Sequence, residues 1–182
     1  VTISIDGVTL TTTNSQITFS STVNSEASEA NALNISVGSS EVEFDGVIGG
    51  GTNGSLGAIT ITGALDLDAA LTSATSLSVS TTSTLGANVT TSSTQTYSGA
   101  VTLSTDVTLT TTDSNVTFSS TVDSDAALTK RDLTLTLGSG AATFSGIVGS
   151  TSLADITLNS CRNTCVRPNG RRLLPDACRT AG

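Results

Sequence analysis

Carboxylates, thiols and threonines all occur in this chain at spacings that chemistry could use. Glu41, Glu43 and Asp45 alternate with Val42 and Phe44, and Asp66 and Asp68 alternate with Leu65 and Leu67. Period-two spacing puts the acids on one face of a strand and the apolar residues on the other. Stacked carboxylates suit Ca²⁺, which takes about six to eight oxygen ligands. Alternate residues on one strand lie about 6.5–7 Å apart, too far for easy shared chelation. A parallel stretch further on reads Ala141, Thr143 and Ser145 in place of the three acids. The glycine-and-aspartate nonapeptide of Ca²⁺-binding β-rolls is absent. These five acids are the calcium candidates, and their spacing predicts a plain solvated face.

Cys161, Cys165 and Cys178 all lie beyond residue 160, among arginines and both prolines. Three is odd, so one internal bridge leaves one thiol over. A Cys161–Cys178 or Cys165–Cys178 bridge would staple a cap or junction over the end of the body, and the alternative is an unstructured or non-native tail. Zinc would need a fourth ligand from Asp176 or a partner, because the chain has no His. Thr9, Thr11 and Thr13 share a face, as do Thr108, Thr110 and Thr112, with Thr60/Thr62 and Thr134/Thr136 as shorter pairs. Stacked on neighbouring strands about 4.8 Å apart, such threonines would form a flat lattice. Ice-binding solenoids are similar in using Thr-x-Thr ranks. Threonine is also simply a good outward residue on a β-surface. Asn34, Asn53, Asn88 and Asn115 head glycosylation triplets. In a chain that is about a third Ser and Thr, several such matches arise by chance.

Catalysis is not expected. A serine nucleophile needs a base, and the first 160 residues hold no His, no Cys and one adjacent Lys130–Arg131 pair. No residue set points to a cofactor.

These residues need strands to position them. Apolar and polar residues alternate at Val8-Thr9-Leu10-Thr11, Ile59-Thr60-Ile61-Thr62 and Leu133 to Leu137. Such alternation marks half-buried strands. β-Branched residues dominate, and no window carries a helical apolar stripe. The chain also says nearly the same thing twice. Residues 8–23 read VTLTTTNSQITFSSTV and residues 107–122 read VTLTTTDSNVTFSSTV. The copy resumes at 33–49 and 133–149, where Gly38, Phe44, Gly46 and Gly49 match Gly138, Phe144, Gly146 and Gly149. A looser echo carries the five aromatics, Phe19, Phe44, Tyr97, Phe118 and Phe144, which are the candidate core rings. Aligning Phe19, Phe44, Ile61, Val79, Tyr97 and Phe118 gives a step of about 20 residues, near the coil length of many solenoids.

The predicted fold is therefore all-β: a parallel β-helix of about eight coils, built as two tandem units of about 100 residues. Residues 1–160 form the body, with copies at about 8–106 and 107–160, and 161–182 form a tail. The alternative is two tandem β-sandwich domains.

Charge divides at the same boundary. Fourteen of the fifteen carboxylates precede residue 161, against Lys130 and Arg131 alone, while the tail holds five arginines and Asp176. An acidic body argues against nucleic acid and anionic membranes as partners. No stretch is long and apolar enough to span a bilayer as a helix. The chain opens at Val1, inside a strand-like run, which suggests a mature fragment or an excised part of a longer array.

The phrases TQTYSGAVTLSTDVTLTTT (94–112), NVTFSSTV (115–122), ATFSGIVGSTSLADITL (142–158) and SLGAITITGALDL (55–67) carry a resemblance. Over about residues 1–160 the chain resembles the filamentous-haemagglutinin-like and β-strand-repeat adhesins of bacterial surfaces. That resemblance implies a secreted parallel β-helix at a cell surface, acting as adhesin, stalk or fibre. It offers no catalytic residues. The expected function is structural and extracellular, with self-association or neighbouring repeats as partners, and a host surface or carbohydrate as ligand. Ice binding through the threonine ranks and carbohydrate binding are the alternatives.

Overall fold

The computed structural model describes residues 1–51, 54–150 and 153–160, and the backbone of Cys165–Val166. Every described element is a strand, and sixteen of them join one sheet through parallel pairs. The pairings sort into three stacks, so the chain winds as a three-faced β-solenoid of about seven turns.

Face 1 starts with Val8–Thr11 and continues through residues 33–36, 59–62 and 77–79. Gln95–Tyr97, Val116–Phe118, Ala142–Phe144 and Cys165–Val166 complete it. Face 2 runs from Ile17–Phe19 through residues 42–44 and 65–67 to Ser83–Leu85, Val101–Leu103 and Val122–Ser124. Face 3 runs through Val23, Ile48, Leu71, Val89–Thr91, Val107–Thr110, Arg131–Gly138 and Leu153–Ser160. Thr2–Ile3 pairs with Asn24–Ser25 at the start of that face.

The two-domain sandwich is thus set aside: one stack runs through both copies. The count is about seven turns, not eight.

A six-residue rule builds the central turns. Ile59, Leu65, Leu71, Leu77, Ser83, Val89, Gln95, Val101 and Val107 stand six apart, and all are buried. Each begins the inward side of a short strand, and three such steps close one turn of 18 residues, the separation of the Ser55 and Ser73 hydroxyls that meet between turns. Hexapeptide periods of this kind are a known route to parallel β-helices. The outer turns are longer, 20 to 26 residues. Most of their extra residues sit between faces, so register survives on the faces except for shifts near the two ends of Arg131–Gly138.

The core is a thin aliphatic column with two ring stacks. Phe19 and Phe44 lie 4.8 Å apart and nearly parallel on face 2. Tyr97, Phe118 and Phe144 stack at 5.3 and 4.9 Å on face 1. This corrects the single aromatic series read from the sequence. Ile61, Val79, Tyr97 and Phe118 do share one column. Phe44 instead sits over Leu67 on another face. The step near 20 residues averaged two faces and two coil lengths.

The duplicated text also lands on different faces. Val8–Thr11 lies on face 1, but its copy Val107–Thr110 lies on face 3. Ile17–Phe19 lies on face 2, and its copy Val116–Phe118 on face 1. Counted along the chain, the copy is displaced by fourteen faces, four turns and two-thirds. What the copies share is their corners. Asn14 and Asp113 have φ of 56° and 51°, in the left-handed region. Each carboxyl-type oxygen accepts the N–H of the next turn, from Ser39 and Ser139. Gly38 and Gly138 sit directly against them with positive φ, where a Cβ would collide with the Asn14 or Asp113 side chain. Asp6 and Asp106 repeat the device by accepting Ala32 and Asp132 N–H. Ser25 and Ser124 hydroxyls likewise accept Asn31 and Arg131 N–H.

Candidate functional site

The solenoid gathers the acids that the sequence spreads over two segments. On face 2 the outward file is Thr18, Glu43, Asp66, Thr84, Thr102 and Asp123. Glu43 therefore lies beside Asp66 in the next turn, while Glu41 pairs with Ala64. Asp45 and Asp68 follow their strands into the same corner. Ligand oxygens of Glu43, Asp45 and Asp68 come within 4.8 Å of one another. Spacing along one strand does not limit this cluster, because Asp45 lies just past the end of its strand at Phe44 and Asp68 comes from the adjacent turn. These three acids therefore lie closer together than the spacing along an extended strand gives. Asp45 and Asp68 are exposed, and Glu43 accepts hydrogen bonds from Gln16 Nε2 at 2.7 Å and Thr18 Oγ1 at 2.9 Å. Asp66 is held above the usual carboxylate range, first by partial burial and then by Asp68, Glu41, Glu43 and Asp45. The patch can attract cations, and it repels itself.

The threonines form registered files, but not every one that spacing suggested. Thr13 and Thr112 fall beyond their strands, which end at Thr11 and Thr110. Thr9 and Thr60 are separated by Asn34 within face 1. That face carries a long file, Thr9, Asn34, Thr60, Ser78, Thr96, Thr117 and Thr143, with a short second file of Thr11, Ser36 and Thr62 beside its first three turns. Face 3 carries a double one. Thr108, Thr134 and Thr157 align, and beside them Thr90, Thr110, Thr136 and Asn159. The coil length changes across these turns without breaking the files.

Corner residues are what the sequence reading missed. Asn88 and Asn115, read as glycosylation triplets, turn their Oδ1 atoms to the N–H groups of Thr108 and Ala141 in the following turn. Asp132 does the same for Asp155. A detectable signal existed: Asp or Asn stands just before an apolar-alternating run at Asp106, Asn115 and Asp132. Asn34 points outward on face 1. Asn53, Cys161 and Cys178 lie outside the described residues. The backbone of Cys165 pairs with Ala142, so the stack continues past Ser160.

Inside, Gln95 is fully buried with a complete set of partners. Its Nε2 donates to Val89 O, Thr91 Oγ1 and Thr110 O, and its Oε1 accepts from the Tyr97 hydroxyl at 3.2 Å. Burial pushes the Tyr97 phenol well above its ordinary pKa. Among the described residues no helix is long and apolar enough to cross a membrane. Comparison with protein families, with curated proteins and with solved structures finds no match to this chain.

Proposed function

We propose that the chain is a non-catalytic structural rod, a segment of an extracellular surface adhesin or fibre. One observation carries this reading. The central strands of the faces keep register through turns of 18 and 26 residues, because the extra residues of the longer turns fall mainly at corners. Such a body is suited to extension and to display, since each turn contacts only its neighbours. Its seven turns span roughly 30–35 Å at about 4.8 Å per turn. The outer faces offer hydroxyls and carboxylates in files, which suits contact with water or a polar surface. Electron microscopy of the purified protein over a range of concentrations tests the fibre form. End-to-end filaments are expected. Short monodisperse particles under all conditions would sink it.

A second reading rests on the double file of face 3. Thr108, Thr110, Thr134, Thr136 and Thr157 stand in two parallel rows on a parallel sheet. The rows give hydroxyls about 4.8 Å apart along one axis and about 7 Å along the other, a spacing that can order water. On this reading the protein binds ice through face 3. Thermal hysteresis at high protein concentration decides it: activity is expected, and its loss in Thr134→Lys must leave the thermal unfolding midpoint unchanged. A melting and freezing point that coincide at every concentration would end this reading.

A further inference from the structure

Lys130 and Arg131 are the only cationic side chains among residues 1–160, where they face fourteen carboxylates. They close the segment between Val122–Ser124 on face 2 and Arg131–Gly138 on face 3. Residues 127–130 are all exposed, and Leu128 is 99% exposed. The two cations are held differently. Arg131 gives its Nε and Nη2 to the two oxygens of Asp125, at 3.0 and 3.2 Å, and its N–H to Ser124 Oγ. Lys130 is exposed, and no ion pair with it is found among the described residues.

We propose that the Lys130–Arg131 peptide bond is a processing site for a trypsin-like serine protease, one whose S1 pocket carries an anion. Ala127, Leu128, Thr129 and Lys130 supply an exposed segment for the non-primed side of the protease cleft. On the primed side, Arg131 and Asp132 must lift away from the sheet. The ladder is already irregular there, with a register shift between Arg131 and Leu133. The bonds to be released are those of the Arg131 and Asp132 N–H groups to the Ser124 and Asp106 side chains, the Asp155 N–H bond to Asp132 Oδ1, and the terminal ladder pair Arg131–Leu153, which the register shift sets apart from the rest. Opening of this kind draws on the low-stability end of a fold. Cutting after Arg131 is disfavoured, because its guanidinium would have to leave Asp125 to enter S1. In the reaction, water adds across the amide: Lys130 gains a carboxylate and Arg131 an α-ammonium. The nick leaves the stack intact. Arg131–Gly138 stays paired with Val107–Thr110 and Leu153–Ser160, and Val122–Ser124 with Val101–Leu103. The first copy contains its own control. The Ser25 hydroxyl accepts Asn31 N–H in the same geometry, but the sequence between them, EASEA, holds no cation.

Limited trypsin digestion of the full chain, read by intact mass, tests the assignment. The expected product is fragment 1–130, co-eluting with its complement on a sizing column without denaturant and separating in denaturant. Tail arginines from Arg162 onward are distinguished by mass. Lys130→Gln should lose the internal cut and keep the tail cuts. Asp125→Asn should add a cut after Arg131. The proposal is overturned if the internal bond survives while the tail is digested, if cleavage of the unaltered chain falls after Arg131, or if the two pieces part without denaturant. An unchanged pattern in Asp125→Asn would overturn the role given to that ion pair.

Discussion

At the scale of single residues, this fold depends on a few polar side chains at corners. Asn14 and Asp113 each adopt a left-handed conformation and cap an N–H of the next turn. Asparagine and aspartate tolerate that conformation better than other non-glycine residues. Asp113→Ala should therefore cost about 2–3 kcal/mol, combining about 1–2 of backbone strain with about 1 from the lost hydrogen bond. Asp113→Asn should be nearly neutral, as Asn14 already does the same task. Urea unfolding of both variants checks this pair. A second residue-scale effect has the opposite sign. The folded state raises the Asp66 pKa, so it binds the proton more tightly than the unfolded chain does. Stability from this group is present below its unfolded pKa of 3.8 and is lost as pH rises through the raised folded value. Asp66→Asn should consequently stabilise the protein at pH 7 by a few tenths of a kcal/mol, roughly the scale of exposed charge pairs. The gain should vanish below the carboxylate range and shrink with added salt. Thermal melts at two pH values and two ionic strengths would show it.

At the scale of elements, the inward-facing columns decide stability. Phe118 is the middle ring of a three-ring stack and is fully buried. Phe118→Ala should cost about 3–5 kcal/mol, the range for deleting a large core ring. Phe19 caps a two-ring stack at the first turn and keeps 8% exposure, so Phe19→Ala should cost less. Chemical denaturation ranks the two. Tyr97 gives a spectroscopic handle on the same column, because it is the only tyrosine and there is no tryptophan. Its raised folded pKa means that stability falls as pH climbs past about 10, where the unfolded chain would ionise. Phenolate absorbance should appear only together with loss of the β circular dichroism signal. A phenolate that titrates at about pH 10 in a still-folded protein would contradict the buried Gln95–Tyr97 arrangement.

At the scale of the whole molecule, the unit of construction is the turn of three six-residue faces. Deleting residues 65–82 removes one 18-residue turn and brings Ser83 into the place of Leu65. The files on all three faces then close up in register. Deleting 65–70 alone shifts every later strand by one face. Stability in such stacks is roughly a sum over turns and their interfaces. The 18-residue deletion should thus retain cooperative unfolding, and the six-residue deletion should lose it. Circular dichroism and denaturant melts of the two shortened chains distinguish them. The displaced duplication bears on function at this scale. A surface repeated by copying the 99-residue text points a third of a turn away from its original, so identical text presents its hydroxyls in different directions.

Much of this was legible from residues alone. Alternation at Val8 to Thr11 and at Leu133 to Leu137 specified strands, because period two is the only way such a pattern buries one side. The echo of Ile61, Val79 and Tyr97 specified stacking, since one column must repeat its inward residues. Of the acids Glu41, Glu43, Asp45, Asp66 and Asp68, alternation places Glu41, Glu43 and Asp45 on one strand side, but which of the five come together is not readable from it: Glu43, Asp45 and Asp68 do. Three matters were left to tertiary structure. Coil length varies, so only pairing shows that Phe44 sits over Leu67 while Tyr97 sits over Val79. Acids close in space come from different turns, so distance along a strand says nothing of Asp68 beside Glu43. The two copies share corners and differ in face, because the chain between them holds fourteen face-steps and fourteen is not a multiple of three. Local sequence determines what each strand is; the number of steps taken around the axis determines where it points.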